Sequence, residues 1–249
     1  LKINKKKFIE LIKKATLNYS INTLQINIDN DRIKVAMKSE SNTYLTVLDL
    51  ENDIFIDIIS GSLLELNFLD PNVHLLKLLN QIDLDEPEIK LNNKILSIID
   101  KNQKASVNFC SPLIVSVSNK TTPRINDYFL NFDIDDNFNG IYKKIRSIGA
   151  IYGKVYFEVI DNKFRINSTD KTSGLDHGFM AEIIDVKHEN ISCCFPFLNI
   201  SNMMNCLSDD KEYEMKFAYE PNTELMMISC IRKDTINKEI YYLFSQKDI

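Results

Sequence analysis

The chain says nearly the same thing twice, and that repetition constrains its fold more than any single motif. The stretch from Leu63 to Phe109 and the stretch from Cys193 to Phe244 read as two copies of one unit: an amphipathic helix, an acidic turn and a strand of matching character. After the first helix comes Glu86-Pro87-Glu88-Ile89-Lys90-Leu91, and after the second Glu212-Tyr213-Glu214-Met215-Lys216-Phe217. Upstream, the segment from Lys7-Phe8 to Val35 reads as a basic helix, a strand, an Asp-Asn turn and another strand, and Phe138 to Ile166 repeats that order. Asp29-Asn30-Asp31-Arg32-Ile33-Lys34-Val35 is answered by Asp161-Asn162-Lys163-Phe164-Arg165-Ile166. A long duplication with basic-faced helices and no catalytic equipment points to a scaffold that touches nucleic acid.

Most of the chain has the period of strands. Leu24 to Ile28 alternates cleanly, turns at Asp29-Asn30 and resumes through Val35. Tyr44–Leu50 and Ile54–Ile59 continue the pattern, and Ser60-Gly61 predicts a hairpin into Leu63-Leu64-Glu65-Leu66. Ile89–Leu91, Ile95–Ile99 and Ala105–Phe109 complete the first half; Val155–Ile160, Phe164–Ile166, Phe179–Val186, Glu214–Tyr219, Leu225–Ile231 and Glu239–Phe244 belong to the second. Two helices and about eight strands per half predict layered α+β domains rather than a βαβ sheet. A polar connector punctuated by Pro112 and Pro123, with a short β-like run at Leu113–Val117, divides the chain into domains 1–111 and 129–249 joined by residues 112–128.

Only four segments carry a helical period: Lys5–Thr16, Pro71–Ile82 with Asp70 as N-cap, Phe138–Ile148 and Ile200–Leu207. Phe8, Leu11, Ile12 and Ala15 share one face of the first, Leu75, Leu78, Leu79 and Ile82 one face of the second. Phe138, Ile141, Ile145 and Ile148 do so in the third, and Ile200, Met203, Met204 and Leu207 in the fourth. Opposite these stripes lie Lys6, Lys7, Lys13 and Lys14, with Lys5 beside them, then Lys77 with Asn80 and Gln81, then Lys143, Lys144 and Arg146. The fourth helix offers Ser201, Asn202 and Asn205, without a base. A charged helix face is most often only a solvated face. Here, however, bases heavily outnumber acids on these faces in a chain of formal net charge −5. Lysine, asparagine and serine suit phosphate and water-mediated contact without base readout, and no recognition helix, RNP-type strand or zinc-finger spacing accompanies them.

Other classes fit poorly. The five cysteines are odd in number, two are adjacent, and none forms C-x-x-C, so reduced buried thiols and an intracellular setting are expected. No apolar run reaches the roughly 18 to 20 residues of a membrane span, and no secretory leader is read at the N-terminus. His74, His177 and His188 lack metal-ligand spacing, and His177 and His188 are expected at the surface. Asp135-Asp136 and Asp209-Asp210 adjoin helix ends, where capping accounts for them. No glycine-rich phosphate loop or nucleophile triad is visible, so neither enzyme chemistry nor a metal or other cofactor is expected.

Two tandem α+β halves, two helices per half, basic helix faces and a Pro-containing connector together resemble the DNA sliding clamp family. Its trimeric two-domain members, the proliferating cell nuclear antigen and the tailed-phage clamps, match the chain in length. The run Phe109-Cys110-Ser111-Pro112, the Pro123 connector, the strand Phe129–Ile134 and the helix Asn137–Ile148 follow the phage-type layout in order. The resemblance covers essentially the whole chain and rests on architecture, since no short motif is diagnostic. It implies a homotrimeric ring joined head to tail around double-stranded DNA, with helices lining the hole and sheets forming the outer wall. Nonspecific backbone contacts would fall to Lys5, Lys6, Lys7, Lys13, Lys14, Lys77, Lys143, Lys144 and Arg146. Ala105–Phe109, extended to Val117, and His177–Ile184 would be the joining edges. DNA polymerase and a clamp loader would dock near Ile114, Val115, Val117, Ile125, Tyr241 and Tyr242. The setting would be the cytoplasm or nucleoid of an infected bacterium for a phage protein, and otherwise a nucleus or replication site. The alternative is a clamp-fold viral processivity factor or transcription factor that works as a monomer or dimer without a closed ring.

Overall fold

A computed structural model describes residues 1–29, 31–56, 64–92, 94–100, 103–115, 123, 125, 127–169 and 178–246. The chain forms two compact units, one comprising Leu1–Ser41, Leu45–Thr121 and Asp234–Glu239, the other Asn42–Tyr44, Thr122–Lys233 and Ile240–Ile249. The first contains β1 (Lys2–Ile3), α1 (Lys5–Ala15), β2 (Thr23–Ile28), β3 (Arg32–Lys38) and β4 (Tyr44–Glu51). It continues with β5 (Phe55–Ile56), β6 (Leu64–Leu69), α2 (Leu75–Asn80), β7 (Glu88–Leu91), β8 (Ile95–Asp100) and β9 (Gln103–Asn108). The second contains β10 (Tyr128–Asp133), α3 (Asp136–Tyr152), β11 (Lys154–Ile160), β12 (Lys163–Thr169) and β13 (Gly178–Asp185). After these come β14 (Ile191–Pro196), α4 (Phe197–Met204), β15 (Tyr213–Glu220), β16 (Leu225–Arg232) and β17 (Lys238–Phe244), whose first two residues are counted with the first unit.

The repeat seen in the sequence is a repeat of topology. In the first unit the hydrogen-bonded neighbours run β5-β1-β7-β8-β9 and β4-β3-β2-β6; in the second they run β10-β15-β16-β17 and β13-β12-β11-β14. Matching the strands in chain order, the antiparallel pairs β1·β7, β7·β8, β2·β3, β3·β4 and β2·β6 recur as β10·β15, β15·β16, β11·β12, β12·β13 and β11·β14. One addition breaks the match. The two-residue β5 covers the outer side of β1 and brings Phe55 onto Phe8 of α1, ring centroids 5.3 Å apart.

Local chemistry fixes the turns and caps. Asp161 and Asn162 both take positive φ (53° and 60°) between β11 and β12, the conformation a two-residue hairpin of right-handed strands demands. Asp29 uses its side chain instead, Oδ1 accepting from Arg32 N at 2.6 Å. Asn4 caps α1 by accepting from Lys7 N, and Asp135 caps α3 by accepting from Phe138 N at 2.8 Å. Gly153 ends α3 at φ 71°, its N–H returning to Gly149 O.

Sequence periodicity misplaced several details. The second helix is expected over Pro71–Ile82, but only Leu75–Asn80 is helical. Asp70 stands at φ 45°, and its carbonyl rather than its side chain receives Val73 N and His74 N, so residues 71–74 make a turn first. The run from Leu113 is expected to be β-like, yet Pro112–Ile114 is a short 3-10 turn capped by Ser111 Oγ. β1 and β14 carry too little alternation to be read, and both exist through pairing with distant strands. The Ser60-Gly61 hairpin lies outside the described residues, as does His177. His188 is half-buried, its ring 4.5 Å from that of Phe129. All five cysteines are free thiols, and four are buried.

α4 packs against α3 as well as beside β14, so Ser201 and Asn202, expected on an open polar face, are buried and only Asn205 is exposed. Gly149 makes this approach possible, because a Cβ there would lie 2.5 Å from Phe197 Cδ2. Gly149→Ala should therefore cost about 1–3 kcal/mol of overpacking strain, less roughly 1 kcal/mol returned by helix propensity. Urea unfolding would read this as a lower midpoint; an unchanged or higher midpoint would mean that α4 simply moves aside.

Candidate nucleic-acid interface

Within the first unit α1 buries Phe8, Leu11, Ile12 and Ala15 and thereby turns its lysines outward. Lys6 and Lys7 are exposed and Lys13 is half-buried. Lys7 carries an exposed ion pair with Asp53 at 2.6 Å, a contact worth about 0–1 kcal/mol and easily exchanged for another anion. No acid stands in the first turn of α1, where three lysines meet the positive end of the helix dipole. Each such charge costs on the order of 0.3–1 kcal/mol. Helix stability therefore does not explain them.

Two lysines assigned to this row are engaged in the fold. Lys5 is half-buried, its Nζ donating to Ile82 O at 2.6 Å just beyond α2. Lys14 is buried, its ammonium 3.1 Å from both carboxylate oxygens of Glu239 and 3.2 Å from Glu10 Oε1. Position on the helical wheel put Lys14 in solvent; Glu239, far along the chain, draws it inward. Lys77 on α2 is exposed.

Within the second unit α3 buries Phe138, Ile145 and Gly149 and exposes Lys143, Lys144, Arg146 and Ser147. These bases sit in the middle of the helix, away from the C-terminal turn where they would be favoured. Among the described residues no ion pair engages Lys6, Lys77, Lys143 or Arg146. Lys144 lies 6.0 Å from the Phe179 ring centroid on β13, a cation–π distance. α1 thus presents Lys6, and α3 presents Lys143 and Arg146, exposed and outside any ion pair among the described residues, each helix from its own unit.

The expected docking residues fare differently. Tyr241 and Tyr242 are buried, at 0% and 4% exposure, because β17 is covered on both faces. Val115 is buried and Ile125 half-buried; the side chain of Ile114 and all of Val117 lie outside what is described. Leu113, which the sequence did not single out, is 96% exposed on the 3-10 turn.

Two grooves also went unread. One, of about 630 Å³, runs in the first unit between α2 and β9, with Leu69, Val73, Lys77 and Phe109 on its walls. The other, of about 450 Å³, lies in the second unit beside β10, α3 and β13, lined by Phe132, Phe138, Ile141, Ile183 and Ile184 with Asp135 at its rim. Each adjoins a strand, β9 or β13, that ends its sheet. Their one sequence trace is in β13, whose large apolar residues Met180 and Ile184 stay about half exposed. Among the described residues no cluster of His, Cys, Asp or Glu could hold a metal, and no helix is long and apolar enough to cross a membrane.

No protein-family model and no curated protein sequence matches the chain. Solved structures do. PCNA of A. fulgidus, solved with the C-terminal region of FEN-1 bound, superposes with a TM-score of 0.65 at 12% identity, covering 100% of this chain and 98% of that one. PCNA of Entamoeba histolytica gives 0.65 at 14% identity over 98% and 97%. The DNA polymerase sliding clamp of Bacillus subtilis gives 0.66 at 10% identity, over 100% of this chain but 64% of that one. The chain has the sliding-clamp fold from its first strand to its last.

Burial pushes the phenol of Tyr242 up to about 12, with Tyr128 nearby adding a smaller effect in the same direction. The neutral phenol's contribution to stability is complete below its ordinary value of 10.0 and is lost as pH rises toward about 12. Burial also pushes the phenols of Tyr142 and Tyr219 up, so spectrophotometric titration should show a late-ionising phase whose amplitude Tyr242→Phe reduces. A normal titration would place this residue at an open surface after all.

Proposed function

We propose that the protein is a DNA sliding clamp, a non-enzymatic processivity factor that encircles duplex DNA and tethers polymerase and other replication proteins. The observation that carries this reading is the agreement of fold over the whole chain, combined with Lys6 on α1 and Lys143 and Arg146 on α3, exposed and engaged by no ion pair among the described residues. Lys6, Lys7, Lys13, Lys77, Lys143, Lys144 and Arg146 would touch phosphate, weakly and through water. Tight contacts would arrest sliding, and topology rather than affinity would hold the ring on DNA.

Ring closure would use the two sheet ends. β9 of one copy would pair with β13 of the next, seating the groove beside α2 against the apolar side chains Met180 and Ile184. A head-to-tail contact of this kind closes into a ring when its rotation allows, and three copies would bring six equivalent units around the DNA. Partner peptides would dock near the connector, where the exposed Leu113 is the apolar residue best placed to receive one; the A. fulgidus protein was solved with such a partner segment, the C-terminal region of FEN-1, bound. The protein would act inside the cell at the replication site, in an infected bacterium for a phage clamp.

Light-scattering mass tests the ring. Three chain masses are expected, falling toward one in Met180→Lys/Ile184→Asp; a wild-type mass of one chain at all concentrations would favour the ringless processivity or transcription factor. On nicked circular DNA the loaded protein should persist, whereas it should run off linear DNA; equal retention on both would mean direct binding instead.

Replacing Lys6, Lys7, Lys13, Lys143 and Arg146 together by alanine should leave the melting temperature within a few degrees, since surface substitutions usually cost under about 0.5 kcal/mol each. Stimulation of polymerase on primed DNA should nevertheless fall several-fold. Full stimulation in this variant would remove these residues from the DNA-facing surface.

A further inference from the structure

The first unit contains six residues from far along the chain, Asp234–Glu239. An Asx turn shapes them: Asp234 Oδ1 accepts from Ile236 N at 2.8 Å and from Asn237 N at 3.3 Å. Two hydrogen bonds then attach the turn at the surface. Arg32 Nη2 donates to Ile236 O at 2.9 Å, and Asn237 Oδ1 accepts from Glu51 N at 2.8 Å. Both belong to the exposed side of the segment. Thr235, Ile236 and Lys238 are exposed, so the segment buries little apolar surface of its own.

Glu239 is the exception. Its side chain is 1% exposed and receives Lys14 Nζ on both oxygens, while the Lys14 side chain is 9% exposed. Glu10, on the next turn of α1 and open to solvent, adds a second carboxylate at 3.2 Å from the same ammonium. Taking both charges out of water is so expensive that an apolar pair of similar volume is often as stable or more so. What a buried pair supplies instead is discrimination: Glu239 meets this ammonium with both oxygens, and a shifted docking leaves its carboxylate buried without that ammonium and Lys14 with only the solvent-open Glu10. Lys14 is otherwise in line with the exposed Lys7 and Glu10 along the helix, so the pair also withdraws one cation from that row.

We infer that Lys14 and Glu239 form an ionic latch that fixes where the Asp234–Glu239 segment docks, and that the segment opens locally when either charge is removed. The latch is independent of DNA, of partners and of oligomeric state. It is a positioning device, acting through the backbone it holds. Opening would release three exposed residues and one buried carboxylate, leaving the alternating strands β2 and β3 and the apolar face of α1 intact.

Amide hydrogen exchange on the full chain tests this, comparing Glu239→Gln and Lys14→Met with wild type and with Lys7→Met, which breaks the exposed pair to Asp53. In the first two, amides of residues 235–239 should exchange about tenfold faster or more, while those of β2 and β12 keep their protection. The Lys7→Met variant should match wild type throughout. Unchanged exchange at 235–239 in Glu239→Gln and Lys14→Met would overturn the latch. So would a loss of protection shared equally by β2 and β12, since the pair would then support the whole fold rather than one segment. An equal effect from Lys7→Met would count the same way. Should Lys14→Met fail to fold, Glu239→Gln decides alone, because it keeps the side chain's shape and leaves Lys14 with Glu10.

Discussion

In each unit a long helix lies with one apolar stripe on the β-sheets, and the direction in which its charged side chains point follows from how firmly that stripe is seated. In the second unit the seat is made of phenylalanine. The Phe217 ring on β15 lies 4.7 Å from Phe164, 5.3 Å from Phe157 and 5.8 Å from Phe132, and Phe132 in turn meets Phe138 of α3 at 5.2 Å. Each aromatic pair adds about 0.5–1.5 kcal/mol beyond the burial of its area. With Phe138 held there and Gly149 pressed against Phe197, the buried side of α3 is fixed at both places, and Lys143 and Arg146 face water. α1 reaches the same state with aliphatic residues and Phe8, its far end closed by the left-handed run Leu17, Asn18 and Tyr19.

The helix dipole accounts for part of the charge placement on these helices, Lys13 and Lys14 in the last turn of α1 and Asp136 in the first turn of α3, and leaves the rest unexplained. Dipole complementarity would put acids at the start of α1 and bases at the end of α3; the chain does neither consistently. Two lysines of the same row, Lys5 and Lys14, have been drawn into the fold, one against a carbonyl and one against a carboxylate. The remaining cations therefore form a sparse row rather than a dense patch. A sparse row, in a chain of net charge −5, suits brief contacts with a polyanion.

Much of this was written in local patterning. Alternation located the strands of both halves, and the duplicated Asp-Asn turns marked equivalent places in them. The apolar periods of α1 and α3 separated the buried stripe from the basic row. What was hidden depended on residues distant in sequence. Lys14 can be paired with Glu10 by counting four positions, but its main partner is Glu239, 225 residues away. Ser201 and Asn202 look solvated until α3 comes to lie beside α4. Tyr241 and Tyr242 did carry a readable warning. They sit in the unbroken apolar run Ile240-Tyr241-Tyr242-Leu243-Phe244, which is the mark of a strand covered on both faces rather than of a docking surface.

β9 has a consequence for how such a chain is made. It ends its sheet, and the ribosome delivers it before nearly all of the second unit, a delay on the order of ten seconds. Throughout that time its outer rim is open to every other nascent chain nearby. Lys104, Ser106 and Asn108 point to solvent and only Val107 is buried, whereas the corresponding β17 buries five residues in succession. A strand with the composition of β17 in that position would invite premature aggregation, a risk that the polar β9 lowers.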